Sequence, residues 1–246
     1  MLDELCSITG IDRNVLLQEY KMQHQKHGSV EYPFVTLELP SIKAKYSNYS
    51  NEEIKNTLGE AFHRFNSIRK KTLILYDGVS ETLKYLSEKN IIIIGYTESA
   101  QENGLYRLKK LNISQYFKHV YSSQSQYTNN YPIDIKARTV TVKKPNKDIL
   151  LNICKAEGCA IDEAVYIGDS LTKDVYMAKQ AGITAVWVNY PKESNNYYNM
   201  LVDITSWTDE DFQREAKLKQ EYLLKDVHPD YEINNFSQLS NILISQ

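Results

Sequence analysis

The sequence lacks the features that mark disulfide-bonded, zinc-binding, exported and membrane-spanning proteins. Its three cysteines, Cys6, Cys154 and Cys159, are neither an even number nor spaced like zinc ligands. No apolar stretch approaches the about 20 residues that a transmembrane helix needs. The acidic N-terminus, Met-Leu-Asp-Glu-Leu, is unlike the basic start of a signal peptide. We therefore expect a soluble, cytoplasmic protein that has no membrane partner.

The sequence also lacks an excess of charge of either sign. Its 29 lysines and arginines are balanced by 31 aspartates and glutamates, and no basic run of five or more residues occurs. Binding to nucleic acid through counterion release needs a basic surface, so we expect no nucleic-acid partner. Internal repeats and low-complexity tracts are missing as well. At 246 residues the chain is either one large domain or a core with a small accessory domain, and its oligomeric state is not indicated.

The first third of the chain, residues 1–72, has the pattern of helices. Asp12 is placed to cap a helix that ends before Gly28. Ser50 and Glu53 have the spacing of a capping box, which predicts the start of another helix. The apolar residues that follow recur at helical intervals and predict one apolar stripe, made of Ile54, Leu58, Ala61, Phe62, Phe65 and Ile68.

Two stretches show no periodicity. Residues 29–47 contain Pro33 and Pro40 and are predicted to form an irregular loop. Residues 123–141 are polar and rich in Tyr, Asn, Ser and Thr, which predicts an exposed excursion such as a hairpin.

From Thr72 onward, short apolar strands alternate with helices. Ile91–Tyr96 is a continuous apolar run of strand length, typical of a strand that is covered on both faces. Further strands are predicted at 119–122, 164–167 and 184–188, and helices ending near residue 90 and at 103–111, 146–157, 172–181 and 208–225. Such alternation with short connections predicts βα units and a parallel sheet. The predicted fold class is therefore α/β, with a Rossmann-like, mostly parallel sheet flanked by helices.

The segment Tyr166–Ile183 places two carboxylates close to a strand end. Asp169 follows Gly168 directly after the apolar run, and Asp174 lies near the start of the next helix. Ligands of open α/β sheets bind at the carboxyl ends of the strands, and Mg²⁺ prefers oxygen ligands. Asp169 and Asp174 are therefore candidate magnesium ligands. The structural alternative is that Asp169 ends the strand and Asp174 caps or charges the helix start.

Three segments, in this order and at this spacing, resemble motifs of the haloacid dehalogenase-like hydrolase superfamily, whose members are mostly phosphatases. They are the strand that ends in Thr97, the pair Lys144-Pro145 at a helix start, and Gly168-Asp169 followed by Asp174. The resemblance covers about residues 72–190 well. It implies an α/β core at residues 73–246 and a helical cap at residues 1–72.

The resemblance also implies roles for four residues. Thr97 and Lys144 are expected to bind the phosphate and to take part in catalysis, whereas Asp169 and Asp174 are expected to bind Mg²⁺, Asp174 directly or through its neighbours. The alternatives are an ordinary strand-end threonine and a solvated lysine at a helix start, and the adjacent Lys143 competes with Lys144. The implied function is Mg²⁺-dependent hydrolysis of a small phosphate ester, a phosphomonoesterase activity.

One expected motif is missing. The superfamily carries Asp-x-Asp-x-Thr after an apolar strand, and the first of these aspartates is the nucleophile. The one Asp-x-Thr that follows apolar residues here is Leu201–Thr205, which would require a circular permutation and otherwise predicts an ordinary late strand. The core is therefore expected to lack its first strand, the middle one of the superfamily's sheet.

Three outcomes are open for that position. The polypeptide is part of a longer enzyme, or another segment or chain fills the position, or the strands that carry Thr97 and Asp169 pair directly with each other. A simple gap is disfavoured, because each unsatisfied buried backbone group costs about 1–3 kcal/mol. The chain as given is expected to be inactive or incomplete as an enzyme. The alternative function is a non-catalytic binding or regulatory protein with the same fold.

Overall fold

The structure is a computed structural model that describes residues 1–32, 35–125, 136–190 and 203–244. Within these ranges the chain forms two compact units. The helical unit comprises residues 1–74 and 203–212, and the α/β unit comprises residues 75–190 and 213–244. Among the described residues, no helix has both the length and the apolar character needed to cross a membrane.

The helical unit is built from six helices in its first 74 residues. They are α1 (Leu2–Thr9), α2 (Arg13–His27), α3 (Val35–Glu38), α4 (Pro40–Lys45), α5 (Asn51–Thr57) and α6 (Gly59–Thr72). The predicted cap of α2 is confirmed, since the Asp12 carboxylate accepts a hydrogen bond from the Asn14 N–H at 2.8 Å and Gly28 ends the helix at φ +62°. The loop predicted at residues 29–47 is wrong in part, because α3 and α4 lie there. Leu39 and Ile42 anchor this stretch in the core of the unit.

The predicted capping box is confirmed, but the apolar stripe after it is only partly buried. Ser50 and Glu53 exchange the expected hydrogen bonds at the start of α5. The stripe divides between α5 and α6 and is buried up to Ala61, with Phe62 packed against the same core. Phe65 and Ile68 are 43% and 52% exposed. The predicted apolar stripe is therefore buried only in its first part, because the core of the helical unit does not extend to the second half of α6.

The α/β unit alternates strands and helices. Its strands are β1 (Ile93–Ala100), β2 (Phe117–Ser123), β3 (Ala137–Thr139), β4 (Val165–Gly168), β5 (Thr184–Val188) and β6 (Tyr231–Ile233). Its helices are α7 (Val79–Glu88), α8 (Gln101–Lys110), α9 (Lys147–Glu157), α10 (Tyr176–Ala181) and α12 (Leu239–Ile244), and α11 (Asp209–Leu224) begins in the helical unit. All described strand pairs are parallel. The predicted α/β fold class with parallel strands is confirmed.

The strands form two separate three-stranded sheets, in the orders β1-β2-β3 and β4-β5-β6. Tyr96 of β1 pairs with Tyr121, and Gly168 of β4 pairs with Trp187. Within the described ranges, no strand pairs with the outer edge of β1 or of β4. Direct pairing of the strands that carry Thr97 and Asp169, one of the three predicted outcomes, is therefore wrong. A lysine, described below, lies against one tyrosine ring from each of these strands.

The burial of β1 differs from the prediction. Ile91 and Ile92 precede the strand and are 37% and 55% exposed, and residues 93–97 are half-buried. All four residues of β4 are half-buried as well. By contrast, Ala185 and Val186 of the central strand β5 are fully buried. The prediction of a strand covered on both faces is wrong for β1, because β1 lies at the edge of its sheet.

Two further predictions concern segments that fall partly outside the described residues. Leu201 and Val202 are not described, but Asp203 and Ile204 are helical, so the predicted late strand is wrong at these two residues. The Ile204 carbonyl accepts a hydrogen bond from His24 Nδ1 at 2.6 Å, which ties this segment to α2.

Of the excursion predicted at 123–141, residues 126–135 are outside the described ranges. Its strand β3 pairs with β2 in parallel, unlike the strands of a hairpin.

Candidate functional site

The turn after β4 folds one carboxylate back over the end of the strand. β4 ends at Gly168, and a π-helical turn, Leu171–Val175, leads into α10. Ser170 caps this turn by accepting a hydrogen bond from the Lys173 N–H at 3.2 Å, while its own N–H donates to Asp174 Oδ2 at 3.2 Å. Asp174 is thus held inside the turn and is 5% exposed. The helix cap is Ser170, so the interpretation of Asp174 as a cap is wrong.

Asp174 pairs with Lys144 in a largely buried site. Lys144 Nζ lies 2.9 Å from Asp174 Oδ1, and the two side chains are 13% and 7% exposed. The Tyr166 hydroxyl donates to the same oxygen at 3.0 Å. The carboxylate therefore accepts three hydrogen bonds, two on Oδ1 and one, from Ser170, on Oδ2. Such charge-assisted bonds are stronger than neutral ones and fix the carboxylate in place.

Lys144 also reaches β1. Its ammonium lies 3.5 Å from the Tyr96 carbonyl oxygen and 4.6 Å from the centre of the Tyr96 ring. The centre of the Tyr166 ring is 5.6 Å from the same ammonium. The Lys144 backbone N–H donates to Glu98 Oε1 at 2.9 Å. An ammonium has three N–H donors, and in the described part of the chain the third one has no acceptor. Lys143, the competing candidate, is exposed.

Thr97 and Asp169 lie near this pair without touching it. Thr97 is flanked by Tyr96 and Glu98, both of which contact Lys144, and its hydroxyl accepts a hydrogen bond from the Ser99 N–H at 3.1 Å. Regular pairing of β1 with β2 stops at Tyr96, so Thr97 follows the last regular pair. The Asp169 side chain is exposed. The structure therefore brings Lys144 and Asp174 into contact, whereas Thr97 lies within β1 and Asp169 directly follows β4.

Three residues of the site were not predicted from the sequence. Tyr166 binds Asp174, Tyr96 stacks its ring against the Lys144 ammonium, and Trp187 donates its indole N–H to the Asp169 carbonyl at 3.1 Å. Each lies in an apolar strand, where an aromatic residue indicates packing. The only available signal was the position of Tyr166, two residues before Gly168.

Burial changes the acidity of both tyrosines. Burial, together with the carboxylates of Glu98 and Asp174, raises the pKa of Tyr96 to about 12. Burial and the adjacent Asp174 carboxylate raise the pKa of Tyr166 as well. Both phenols are therefore protonated at neutral pH, and Tyr166 acts as a hydrogen-bond donor. The Tyr96 hydroxyl is buried and has no hydrogen-bond partner among the described residues.

The donor set is compatible with magnesium. The described residues contain no group of three or more His, Cys, Asp or Glu side chains arranged to hold a metal ion. Mg²⁺, however, is commonly held by one or two carboxylates together with substrate phosphates and waters. Asp169 and the Oδ2 atom of Asp174 offer oxygen donors on one turn. The chemical type of these donors is the one that Mg²⁺ prefers.

Comparison with known proteins relates the chain to phosphatases. A family described as haloacid dehalogenase-like hydrolase matches residues 13–188. Phosphoglycolate phosphatase of Pseudomonas fluorescens (strain Pf0-1) is 26% identical over 145 residues, which is 59% of this chain and 47% of that protein. Glyceraldehyde 3-phosphate phosphatase of Pyrococcus furiosus is 27% identical over 115 residues, 47% of this chain and 42% of that protein. The chain thus spans about half the length of the curated relatives it matches.

Solved structures resemble the chain over most of its length. The crystal structure of a HAD phosphatase from Thermococcus onnurineus has a TM-score of 0.47 and 21% sequence identity. The match covers 99% of this chain and 92% of that one.

Proposed function

Because the chain belongs to the haloacid dehalogenase-like hydrolase family, we propose that it provides the phosphate site of a phosphomonoesterase that acts on a small phosphorylated metabolite. The observation that carries the proposal is the Lys144 ammonium, which is fixed beside Asp174 and keeps one N–H donor without a protein acceptor in the described ranges. The names of the two relatives, which are phosphatases of three-carbon and two-carbon phosphates, support a small substrate.

Each predicted residue has a role in this proposal. Lys144 donates to a phosphate oxygen as a point charge, and Thr97 offers its hydroxyl to a second oxygen. Asp169 and Asp174 would hold Mg²⁺, which when bound neutralises part of the charge on the phosphoryl oxygens. Tyr96 and Tyr166 exclude water from the Lys144 ammonium, which strengthens its attraction for an anion. We further propose that residues 1–72 act as the cap that selects the substrate.

The nucleophile belongs, in this proposal, to a strand that lies between β1 and β4. Within the described ranges each of these strands has an unpaired edge and runs parallel to its partner, so one parallel strand could pair with both. An aspartate at the carboxyl end of that strand would face Lys144. Its carboxylate oxygen would attack phosphorus while the ester P–O bond breaks, and the leaving alkoxide would take a proton from the solvent, which the later hydrolysis step returns. Water would then hydrolyse the aspartyl phosphate and regenerate the carboxylate.

A non-catalytic binding protein is the second candidate. It is favoured by the two unpaired strand edges and by the absence, among the described residues, of a strand between them. Such a protein would bind phosphate without hydrolysing an ester, even after the strand is supplied. Turnover by the completed protein therefore separates the two functions.

Binding of inorganic phosphate to the chain as it exists tests the site itself. Replacing Lys144 with Met is expected to weaken phosphate binding about 10- to 100-fold, because a hydrogen bond to a charged group contributes about 1.5–3 kcal/mol. Isothermal titration calorimetry measures the affinity, and circular dichroism shows whether the variant is folded. Lys143→Met is the matched control and should bind like the unaltered chain. Equal losses in both variants, or no phosphate binding by the unaltered chain, would contradict the proposed site.

A further inference from the structure

Tyr166 and Lys144 donate to the same oxygen of Asp174. The Tyr166 hydroxyl lies 3.0 Å and the Lys144 ammonium 2.9 Å from Asp174 Oδ1. Tyr166 comes from β4, Lys144 from the segment before α9, and Asp174 from the π-helical turn. One carboxylate oxygen thus joins three elements of the α/β unit.

The second donor on this oxygen changes what Lys144 can do. A carboxylate oxygen that accepts a hydrogen bond from a phenol attracts the ammonium less strongly. The carboxylate also cannot rotate, because the Ser170 N–H is bonded to its other oxygen. The ammonium is then fixed by Asp174 and by the Tyr96 carbonyl, which determines where its third N–H points. Without the phenol, one lone pair of Asp174 Oδ1 would be left open to a second N–H of Lys144.

We propose that Tyr166 is a positioning residue: through Asp174 it directs the third N–H of Lys144 toward the bound phosphate. The inference rests on the proposed function, because it assigns to Tyr166 an effect on a phosphate that Tyr166 itself does not touch. It goes beyond the predicted site, in which Asp174 acts toward Mg²⁺, directly or through its neighbours, and Tyr166 has no role.

Tyr96 provides a matched control within the same site. Its ring lies 4.6 Å from the Lys144 ammonium, against 5.6 Å for the ring of Tyr166. Its hydroxyl is buried but makes no hydrogen bond within the described ranges. Tyr96→Phe and Tyr166→Phe therefore remove the same group from two rings that both lie close to Lys144, and only the second change removes a bond to Asp174.

The experiment measures two properties of the full chain and these variants. The first is the dissociation constant of inorganic phosphate, by calorimetry. The second is the ζ-nitrogen resonance of Lys144 in the absence of phosphate, identified by its loss in Lys144→Met. We expect Tyr166→Phe to weaken phosphate binding about tenfold, consistent with loss of a charge-assisted hydrogen bond, and to shift the resonance. Tyr96→Phe keeps the ring that shields Lys144 and the carbonyl that Lys144 binds, and it removes only a hydroxyl that has no partner among the described residues. It should therefore change the affinity less than about twofold and leave the resonance in place.

A third variant separates positioning from packing. Replacing Tyr166 with 4-aminophenylalanine keeps the ring and restores a donor, so it should recover most of the lost affinity and much of the original resonance. Equal effects of the two Phe variants, or no rescue by the amine, would overturn the assignment, and melting curves identify a variant that has lost its fold. If the unaltered chain binds no phosphate, the proposed function fails. The resonance still tests the link from Tyr166 to Lys144: a Tyr166→Phe spectrum identical to that of the unaltered chain would refute it.

Discussion

Supplying an extended apolar segment that ends in Asp-x-Asp is expected to raise the hydrolysis of p-nitrophenyl phosphate about 10⁶-fold over the chain alone. The magnitude follows from catalytic units in which removal of the nucleophile costs about that factor in turnover. The segment can be joined through a flexible linker, and the initial rate is measured with Mg²⁺ present. The physical reason is that a parallel strand between β1 and β4 would place a carboxylate beside the Lys144 ammonium.

Two controls make this prediction specific. The same segment with Asn in place of its first Asp should fill the sheet but leave the rate near that of the chain alone. In the completed protein, Asp169→Asn should abolish the activity, since it removes the exposed carboxylate of the turn. A completed protein that binds phosphate and gains stability, yet hydrolyses no phosphate ester, would identify the chain as the non-catalytic alternative.

Replacing Gly168 with Ala is expected to lower the free energy of unfolding by about 3 kcal/mol. A Cβ at this position would lie 2.5 Å from Asp174 Cγ and 2.6 Å from Asp174 Oδ2, much closer than van der Waals contact. Either the turn must move, at an overpacking cost of about 1–3 kcal/mol, or Asp174 must leave Lys144. Separating a buried ion pair costs about 3–5 kcal/mol. Urea denaturation of the full chain measures the change.

Gly104→Ala is the matched control in the same unit. Gly104 lies in α8, and its Cβ would meet Thr97 Cγ2 at 3.4 Å, an ordinary contact. Because alanine is favoured over glycine in helices by about 1 kcal/mol, this variant should be as stable as the unaltered chain or more so. A Gly168→Ala protein that is destabilised by less than about 1 kcal/mol would contradict this prediction, because it would show that the Asp174 side chain tolerates a methyl group at residue 168.

The sequence predicted the elements better than it predicted how they assemble. Helix caps at Asp12 and Ser50 depend on residues close in the chain, and the alternation of apolar strands with helices determines parallel pairing. Lys144 and Asp174 were predicted together because both follow the family pattern, and the structure places them in contact. Coordinates were needed to show that Lys144 contacts Asp174 while Lys143 is exposed, since the two lysines are adjacent in the segment before α9.

The features that the sequence did not predict depend on contacts between residues that are far apart in the chain. Tyr166 lies in an apolar strand, so its periodicity indicates packing and not a hydrogen bond to Asp174. The apolar run Ile91–Tyr96 is equally compatible with a central strand and an edge strand, because burial depends on whether a neighbour is present. Ile204 belongs to a stretch whose sequence predicts a strand, but the residue is helical in the structure. Its carbonyl accepts a hydrogen bond from His24, which is 180 residues away in the chain.

The hydrogen bond from the Trp187 indole N–H to the Asp169 carbonyl makes Trp187 fluorescence a probe of the turn after β4. The indole is joined to the backbone of the same residue whose carboxylate is available to a cation, and indole emission responds to nearby charge and solvent. The chain contains two tryptophans, and the other, Trp207, belongs to the helical unit. In a Trp207→Phe background all indole fluorescence therefore originates at Trp187, so titration of this turn with divalent cations can be followed without an attached dye.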